Sequence, residues 1–160
     1  MQETHQFEYQ RYEDRKSLSA TDAALLQQAL NATDNAYAPY SQFHVGAAAR
    51  LTDGTIITGT NQENASYPVG VCAERVLLGI AAVQFPGIAI ESMAISYRSN
   101  KRKSDVPVSP CGMCRQALVE YENRVKSPMR LIFGGEEGEV LIVETALSML
   151  PFAFGDQHLH

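Results

Sequence analysis

Cys72-Ala73-Glu74 and Pro110-Cys111-Gly112-Met113-Cys114, in which Cys111 comes 39 positions after Cys72, are the most informative part of this 160-residue chain. The two motifs contain every cysteine of the protein. Three thiolates can hold one zinc ion and leave its fourth position open, which distinguishes a catalytic zinc from a structural one. A carboxylate two residues after the first ligand is well placed to handle the protons of a zinc-bound water. The motifs therefore predict a catalytic zinc held by Cys72, Cys111 and Cys114, with Glu74 as acid/base.

The residues around these motifs predict an α/β fold. Asp53-Gly54 between two apolar runs is a strong hairpin signal. Helices are predicted at 19–33, 72–84, 111–121 and 144–149, and strands at 43–51, 55–60, 88–97, 129–133 and 139–143. This order favours a mixed five-stranded sheet covered by helices. Residues 18–160 are expected to form a single zinc-dependent domain. Residues 1–17 are an extension in which Phe7 to Tyr9 is either an edge strand or a frayed terminus.

Both cysteine motifs fall at predicted helix starts. Free N–H groups and the helix dipole favour the thiolate there. Cys111 and Cys114 are three residues apart and therefore face the same way on one helical turn. Two helix N-termini that face each other would supply all three ligands. Zinc with three thiolates carries one surplus negative charge, which Arg75 and Arg115, each directly after a cysteine motif, are placed to offset by donating to the sulfurs.

Three other interpretations of the cysteines remain open. Cys111 and Cys114 could form a redox disulfide, although such a motif usually follows the first strand of a βαβ unit. A closed structural zinc, which would make the chain an assembly module, needs a fourth ligand. None of the four histidines has zinc-finger spacing to a cysteine. The cysteines could also be buried and inert, which the Pro110 helix start argues against.

The composition limits the kinds of binding partner that we expect for this protein. The formal net charge is −5, whereas proteins that follow a nucleic-acid backbone usually carry a basic stripe. The one dense basic run, Lys101-Arg102-Lys103, is interpreted as a solvated loop in preference to a phosphate contact. The sequence has neither a long apolar segment nor a secretory signal, and its reduced thiols indicate the cytoplasm. We expect no nucleic-acid partner and no membrane association.

More of the chain resembles cytidine deaminase, the small zinc-dependent nucleoside deaminase of the cytidine/deoxycytidylate deaminase superfamily. The matching stretches are 38–41, 43–48, 59–67, 72–75, 110–116 and 150–155. The metal motif alone fits all zinc deaminases, which share a first ligand followed by x-Glu and a later Pro-Cys-x-x-Cys. The loop at 61–67 and the tail at 150–155 narrow the likeness to the nucleoside enzymes. The sequence departs from the family's usual pattern at 98–109, 144–149 and 156–158.

The resemblance implies a three-layer α/β/α fold, one zinc ion per subunit, and a homotetramer with sites near its interfaces. It implies hydrolysis of cytidine and deoxycytidine to uridine, deoxyuridine and ammonia in pyrimidine salvage, by zinc-activated hydroxide attacking C4 and Glu74 shuttling protons. Its substrate-binding positions are Phe43 on the pyrimidine, Asn61 and Glu63 on the ribose, backbone groups of Ala73 and Ser109 on the base edge, and Phe154 reaching a neighbouring subunit's site. Deamination of another cytosine-containing small molecule, such as blasticidin S, and of bases in single-stranded nucleic acid are the rival activities.

Overall fold

Residues 1–159, which a computed structural model describes, form three α-helices and one mixed sheet. The last residue of the predicted 18–160 domain lies outside this range. The elements are β1 (Gln10–Tyr12), α1 (Ala20–Ala32), β2 (Phe43–Leu51), β3 (Ile56–Thr60), α2 (Ala73–Gln84), β4 (Ile90–Ser99), α3 (Gly112–Val125), β5 (Arg130–Gly134) and β6 (Val140–Val143). The predicted helix at 144–149 is a 3₁₀ helix, Ala146–Met149. No helix in the described range is long and apolar enough to cross a membrane.

Within residues 1–159 the sheet has six strands, in the order β1-β6-β5-β4-β2-β3. The expected five-strand count was wrong because the N-terminal segment contributes β1, which pairs antiparallel with β6 and places Gln10 opposite Ile142. This strand begins one residue after the Phe7–Tyr9 stretch. Only β4 and β5 are parallel, and the other pairs are antiparallel. A three-residue edge strand carries too short a pattern to be recognised in the sequence.

Helices cover both faces of the sheet, as the three-layer α/β/α prediction requires. α1 packs on one face, where Leu26 and Ala29 meet β-strand residues such as Ile132. α2 and α3 pack on the other face, where Leu77 and Leu118 belong to the larger core cluster. The cysteine motifs belong to this second pair of helices. The predicted zinc ligands therefore lie on one side of the sheet.

A close approach between α2 and β3 sets the position of the first cysteine motif. A Cβ atom added to Gly59 would lie 2.7 Å from both the Ala73 carbonyl oxygen and the Leu77 amide nitrogen. No side chain tolerates such a contact, so only glycine at this position lets α2 pack this closely against β3. Gly59 thereby places the start of α2, including Glu74, close against the sheet.

α1 is tied to the sheet by an ion pair. Ser19 caps the helix, since its hydroxyl accepts a hydrogen bond from the Asp22 amide at 3.1 Å. The Asp22 carboxylate, which is buried, accepts two hydrogen bonds from the Arg130 guanidinium at 2.6 and 3.0 Å. Burial works to raise the pKa of Asp22, but hydrogen bonds from Arg130 and Ser19 outweigh it and hold this pKa below its usual value.

Asp22→Asn is expected to cost about 1–2 kcal/mol of unfolding free energy at pH 7, between the values for exposed and for buried ion pairs. Because the folded pKa is depressed, the contribution is complete above the unfolded pKa of about 3.9 and disappears as the pH falls through it and then through the folded pKa. Urea unfolding at a series of pH values should show the two proteins converging in acid. Glu144→Gln, which removes a longer and exposed contact of Arg130, is the control. A difference that stays constant with pH would contradict this assignment.

Candidate active site

The three cysteines meet where α2 and α3 begin. Cys72 is the N-cap of α2 and Cys111 the N-cap of α3, and neither side chain makes a capping hydrogen bond. Cys114 lies in the first turn of α3 and is buried. The three Sγ atoms all lie within 4.8 Å of one another, and those of Cys111 and Cys114 are 3.5 Å apart. The predicted meeting of two helix N-termini therefore exists in the fold.

This sulfur cluster fits a zinc ion. Sulfurs bound to one tetrahedral zinc at about 2.3 Å lie about 3.8 Å from each other, and the observed separations require only small side-chain adjustments. Among the described residues no histidine, aspartate or glutamate joins the cluster as a fourth ligand. The ligand set therefore matches an open site rather than a closed structural one.

The thiols already favour an anion at the centre. The Cys114 thiol donates a hydrogen bond to Cys72, and this lowers the pKa of Cys72 to about 7 against the opposing effect of burial. The same hydrogen bond, with burial, raises the pKa of Cys114. A cluster that holds a thiolate near neutral pH attracts a cation, which then displaces the remaining protons.

Glu74 lies in the first turn of α2 and is buried, with 5% of its surface exposed. Burial raises the pKa of its carboxyl group, and hydrogen bonds from its own backbone N–H and from Cys114 offset this only in part. A carboxyl group whose pKa is raised holds a proton more readily than an exposed one, which suits general acid/base chemistry. The geometry places this group beside the sulfur cluster.

A cavity of about 490 Å³ opens onto the cluster. Its lining combines most of the predicted site, namely Phe43, Asn61, Glu63, Cys72, Ala73, Glu74, Ser109 and Cys111, with Ser41, Val45, Gln62, Gly70, Val71, Ile95 and Val108. The predicted residues come from β2, the loop after β3, α2 and the loop before α3. These residues therefore meet at one cavity, of a size that suits a small molecule.

Asn61 and Glu63 are partly engaged by the backbone. The Asn61 amide donates to the Phe43 carbonyl at 2.9 Å, and its oxygen accepts from the Val45 amide at 2.8 Å, so this side chain extends the β2–β3 pairing. One Glu63 oxygen accepts from the amides of Tyr40 and Ser41 at 2.9 and 3.2 Å. Burial works to raise the pKa of Glu63, but the hydrogen bonds from Ser41 and Tyr40 outweigh it and lower this pKa. Each side chain keeps spare hydrogen-bonding capacity.

Phe43 has two neighbours that the sequence did not indicate. The Tyr97 ring stacks on it with centroids 4.8 Å apart, because Tyr97 lies diagonally opposite on β4. The Arg102 guanidinium carbon lies 5.4 Å from the centroid of the same Phe43 ring. Tyr97 could be identified as a neighbour of Phe43 once the register of β2 and β4 is known. Nothing in the sequence around Arg102 indicates its position over Phe43.

The two arginines beside the cysteines behave differently. Arg75 is exposed, and its charge helps to lower the pKa of Cys72. The hydrogen bonds of Arg115 run to oxygen atoms, at 2.9 Å to the Pro110 carbonyl and at 3.3 Å to both the Met149 carbonyl and the Ser109 hydroxyl. These contacts brace the loop that leads into Cys111, whereas the sequence predicts that Arg115 donates to the sulfurs.

Phe154 stands apart from the other predicted residues. It lies in the tail, where Gln116 donates to its carbonyl at 2.8 Å, and its ring stacks on His158. The depression that it lines is formed by tail residues, His5 and Asn123, and does not include the sulfur cluster. Within one copy of the chain, Phe154 is therefore outside the candidate site.

An open three-thiolate site beside a buried carboxyl group, on a three-layer α/β/α fold, defines a zinc-dependent hydrolase. Residues 19–127 match the family model described as the cytidine and deoxycytidylate deaminase zinc-binding region. The chain thus belongs to the cytidine and deoxycytidylate deaminase family.

Individual relatives agree with this assignment. The chain is 36% identical over 130 residues to a cytidine deaminase of Halalkalibacterium halodurans, covering 81% of this chain and 91% of that protein. It is 36% identical over 136 residues to one of Sporosarcina psychrophila, covering 84% and 92%. The crystal structure of cytidine deaminase from Burkholderia pseudomallei aligns with a TM-score of 0.72 and 35% identity, over 86% of this chain and 100% of that one.

Proposed function

We propose that this protein deaminates cytidine and deoxycytidine hydrolytically, giving uridine or deoxyuridine and ammonia, as a step of pyrimidine salvage. One observation carries the proposal: three sulfurs within 4.8 Å of one another and the buried Glu74 lie at a cavity of nucleoside size. A structural module would need neither the cavity nor the buried carboxyl group.

Cys72, Cys111 and Cys114 would hold the zinc. When bound, the ion supplies the Lewis acidity that makes water reactive near neutral pH. Glu74 takes one proton from the attacking water and delivers it to ring N3, which leaves C4 electron-poor. After the C4–O bond has formed, Glu74 takes the remaining proton from the new C4 hydroxyl and passes it to the exocyclic amine, the C4–N bond breaks as the C4=O bond forms, and ammonia leaves. The raised pKa of Glu74 suits a group that must be base and then acid.

The substrate is held by the cavity walls. One carboxylate oxygen of Glu63 has no backbone contact, and it accepts a hydrogen bond from a ribose hydroxyl. Asn61 donates its remaining amide hydrogen to the ribose. Asn61 also fixes Phe43 through the Phe43 carbonyl, so that the aromatic ring borders the base. Backbone groups of Ala73 and Ser109 bind the base edge. Arg115 positions Ser109, and Arg75 offsets the surplus charge of the thiolates.

We further propose that the protein acts in the cytoplasm as a homotetramer. Free thiols suit a reducing compartment. Phe152 and Phe154 expose large apolar surface in the tail, which is typical of an interaction site. In such an assembly Phe154 would reach the site of a neighbouring copy, and analytical ultracentrifugation would give the number of subunits.

Ultraviolet monitoring of the purified, zinc-loaded protein tests the activity. Cytidine and deoxycytidine should lose absorbance with matching release of ammonia. Free cytosine should react poorly, because it leaves Asn61 and Glu63 without a ribose partner. Blasticidin S and a cytosine-containing oligonucleotide serve as comparison substrates. Turnover of either of these without turnover of cytidine would overturn the proposal.

A further inference from the structure

A buried aromatic ring supports one wall of the catalytic cavity. Phe43, Val45 and Ile95 are part of that wall, and they come from the neighbouring strands β2 and β4. Tyr97 lies directly opposite Val45 and two residues after Ile95, so its side chain is on the same face of the sheet. Only 1% of its surface is exposed, and it does not line the cavity itself. Tyr97 therefore packs behind the wall and affects the cavity only through its neighbours.

Tyr97 fixes the position of the Phe43 ring. The two ring centroids are 4.8 Å apart and the ring planes differ by 22°, which is the geometry of a stacked pair. Phe43 is the first residue of β2 and is only partly buried, whereas Tyr97 belongs to β4, which lies between β2 and β5 in the sheet. Because the Tyr97 ring is enclosed, the Phe43 ring cannot retract from the cavity toward it. A smaller side chain at position 97 would give the Phe43 ring that freedom.

The hydroxyl group of Tyr97 has no part in this support. Its oxygen is buried, and no group within residues 1–159 forms a hydrogen bond with it. A buried hydroxyl without a partner costs free energy, and phenylalanine would give the same ring stack without that cost. The contacts of Tyr97 with the wall therefore come from its ring, and the Tyr97→Phe substitution separates the ring from the hydroxyl.

The pyrimidine ring of the substrate has one region that no polar group binds. Under the proposed function, C4 faces the sulfur cluster, Glu74 reaches N3, and the polar base edge meets backbone groups of Ala73 and Ser109. N1 carries the sugar, so position C5 and the ring faces are left for the apolar wall that includes Phe43. We propose that Tyr97 is a positioning residue that determines specificity, because it sets, through Phe43, how much room the cavity leaves for a substituent at C5.

This inference rests on the proposed function, and rate measurements with two substrates test it separately. 5-Methylcytidine differs from cytidine by one methyl group at C5, and one such group in an apolar pocket changes kcat/KM by about 10-fold or more. In Tyr97→Leu, the ratio of kcat/KM for 5-methylcytidine to that for cytidine should rise about 10-fold. The substitution should also raise KM for cytidine and leave kcat nearly unchanged, because Phe43 borders the base throughout the reaction. The zinc content should stay the same.

Two further substitutions serve as controls. Tyr97→Phe keeps the stack and should match the unchanged protein in this ratio, with no loss of Tm. Phe133→Leu is the matched control for the loss of a buried aromatic ring, since Phe133 is 1% exposed, belongs to the core and does not line the cavity. It should lower Tm and leave the ratio unchanged. Both substrates meet the same protein molecules, so the ratio does not depend on the folded fraction.

Tyr97→Met, whose flexible side chain adapts to the space, replaces Tyr97→Leu if that variant does not fold. An unchanged ratio in the variant that lacks the ring overturns the inference, and so does an equal change in Phe133→Leu. A ratio altered to the same extent in Tyr97→Phe overturns it as well, because the hydroxyl and not the stack would then be responsible. Failure of the unchanged protein to deaminate cytidine overturns the proposed function.

Discussion

Replacing Glu74 with glutamine is expected to lower kcat for cytidine by about 10³- to 10⁴-fold while the protein keeps its zinc. Glutamine has the same shape and can fill the buried space, but its amide can neither take a proton from water nor deliver one to N3 and the leaving amine. The raised pKa of Glu74 arises mainly from burial, so a neutral amide at this position should not disturb the fold. Steady-state kinetics, together with zinc content measured by atomic absorption, would separate lost catalysis from lost metal.

The control for this variant is Glu120→Gln, an exposed glutamate on α3 that has no part in the cavity. Its kinetics should match those of the unchanged protein. Substantial turnover by a zinc-loaded Glu74→Gln protein would contradict the proton-shuttle role. In residues 1–159, Glu63 is the only other carboxyl group that lines the cavity.

Glu122→Ala is expected to lower the free energy of unfolding by about 3–5 kcal/mol. The Glu122 carboxylate is buried in α3 and accepts four hydrogen bonds. The donors are the Met129 amide at 2.6 Å, the Thr145 hydroxyl at 2.7 Å, the Ala146 amide at 3.1 Å and the Leu147 amide at 2.9 Å. Removing the carboxylate would leave the N–H groups of Met129 and Ala146 without partners, while the Leu147 N–H would keep only its bond to the Thr145 hydroxyl at 3.2 Å.

Urea or thermal unfolding would measure this loss, and a drop of about 10 °C in Tm corresponds to its lower end for a chain of this size. Glu120→Ala, two residues earlier on the same helix and exposed, should change stability by less than about 0.5 kcal/mol. Equal effects of the two substitutions would show that Glu122 is not the anchor that its hydrogen bonds indicate.

Glu122 is also an example of a residue whose role could not be predicted from the sequence. Its side chain lies on the same side of α3 as Cys114 and Leu118, which come eight and four residues before it. That spacing marks a buried face, yet a glutamate in a predicted helix is usually exposed. Its partners are 7 to 25 residues away along the chain. A carboxylate that caps distant backbone groups leaves no local pattern, so it could not be identified before the fold was known.

The metal centre and the hairpin, by contrast, depend on short-range rules. A glycine after Asp53 forms the turn with a positive φ of 89°, and the start of a helix stabilises thiolates whatever the rest of the fold. For the same reason Cys72, Cys111, Cys114 and Glu74 could be selected from spacing alone. Asn61, Glu63 and Phe43 were predicted from the resemblance to a family. The structure adds that the side chains of Asn61 and Glu63 already accept hydrogen bonds from backbone amides.

By itself, the sequence determined the α/β class, the two cysteine motifs and the carboxyl group two residues after Cys72, because each motif depends on residues a few positions apart. The fold then brought the two motifs together. Only the tertiary structure decided the sixth strand, the oxygen partners of Arg115, the anchor at Glu122 and the position of Arg102 over Phe43. These features join segments from 5 to more than 100 residues apart. Their energies depend on strand register and helix packing, which the pattern of a single segment does not contain.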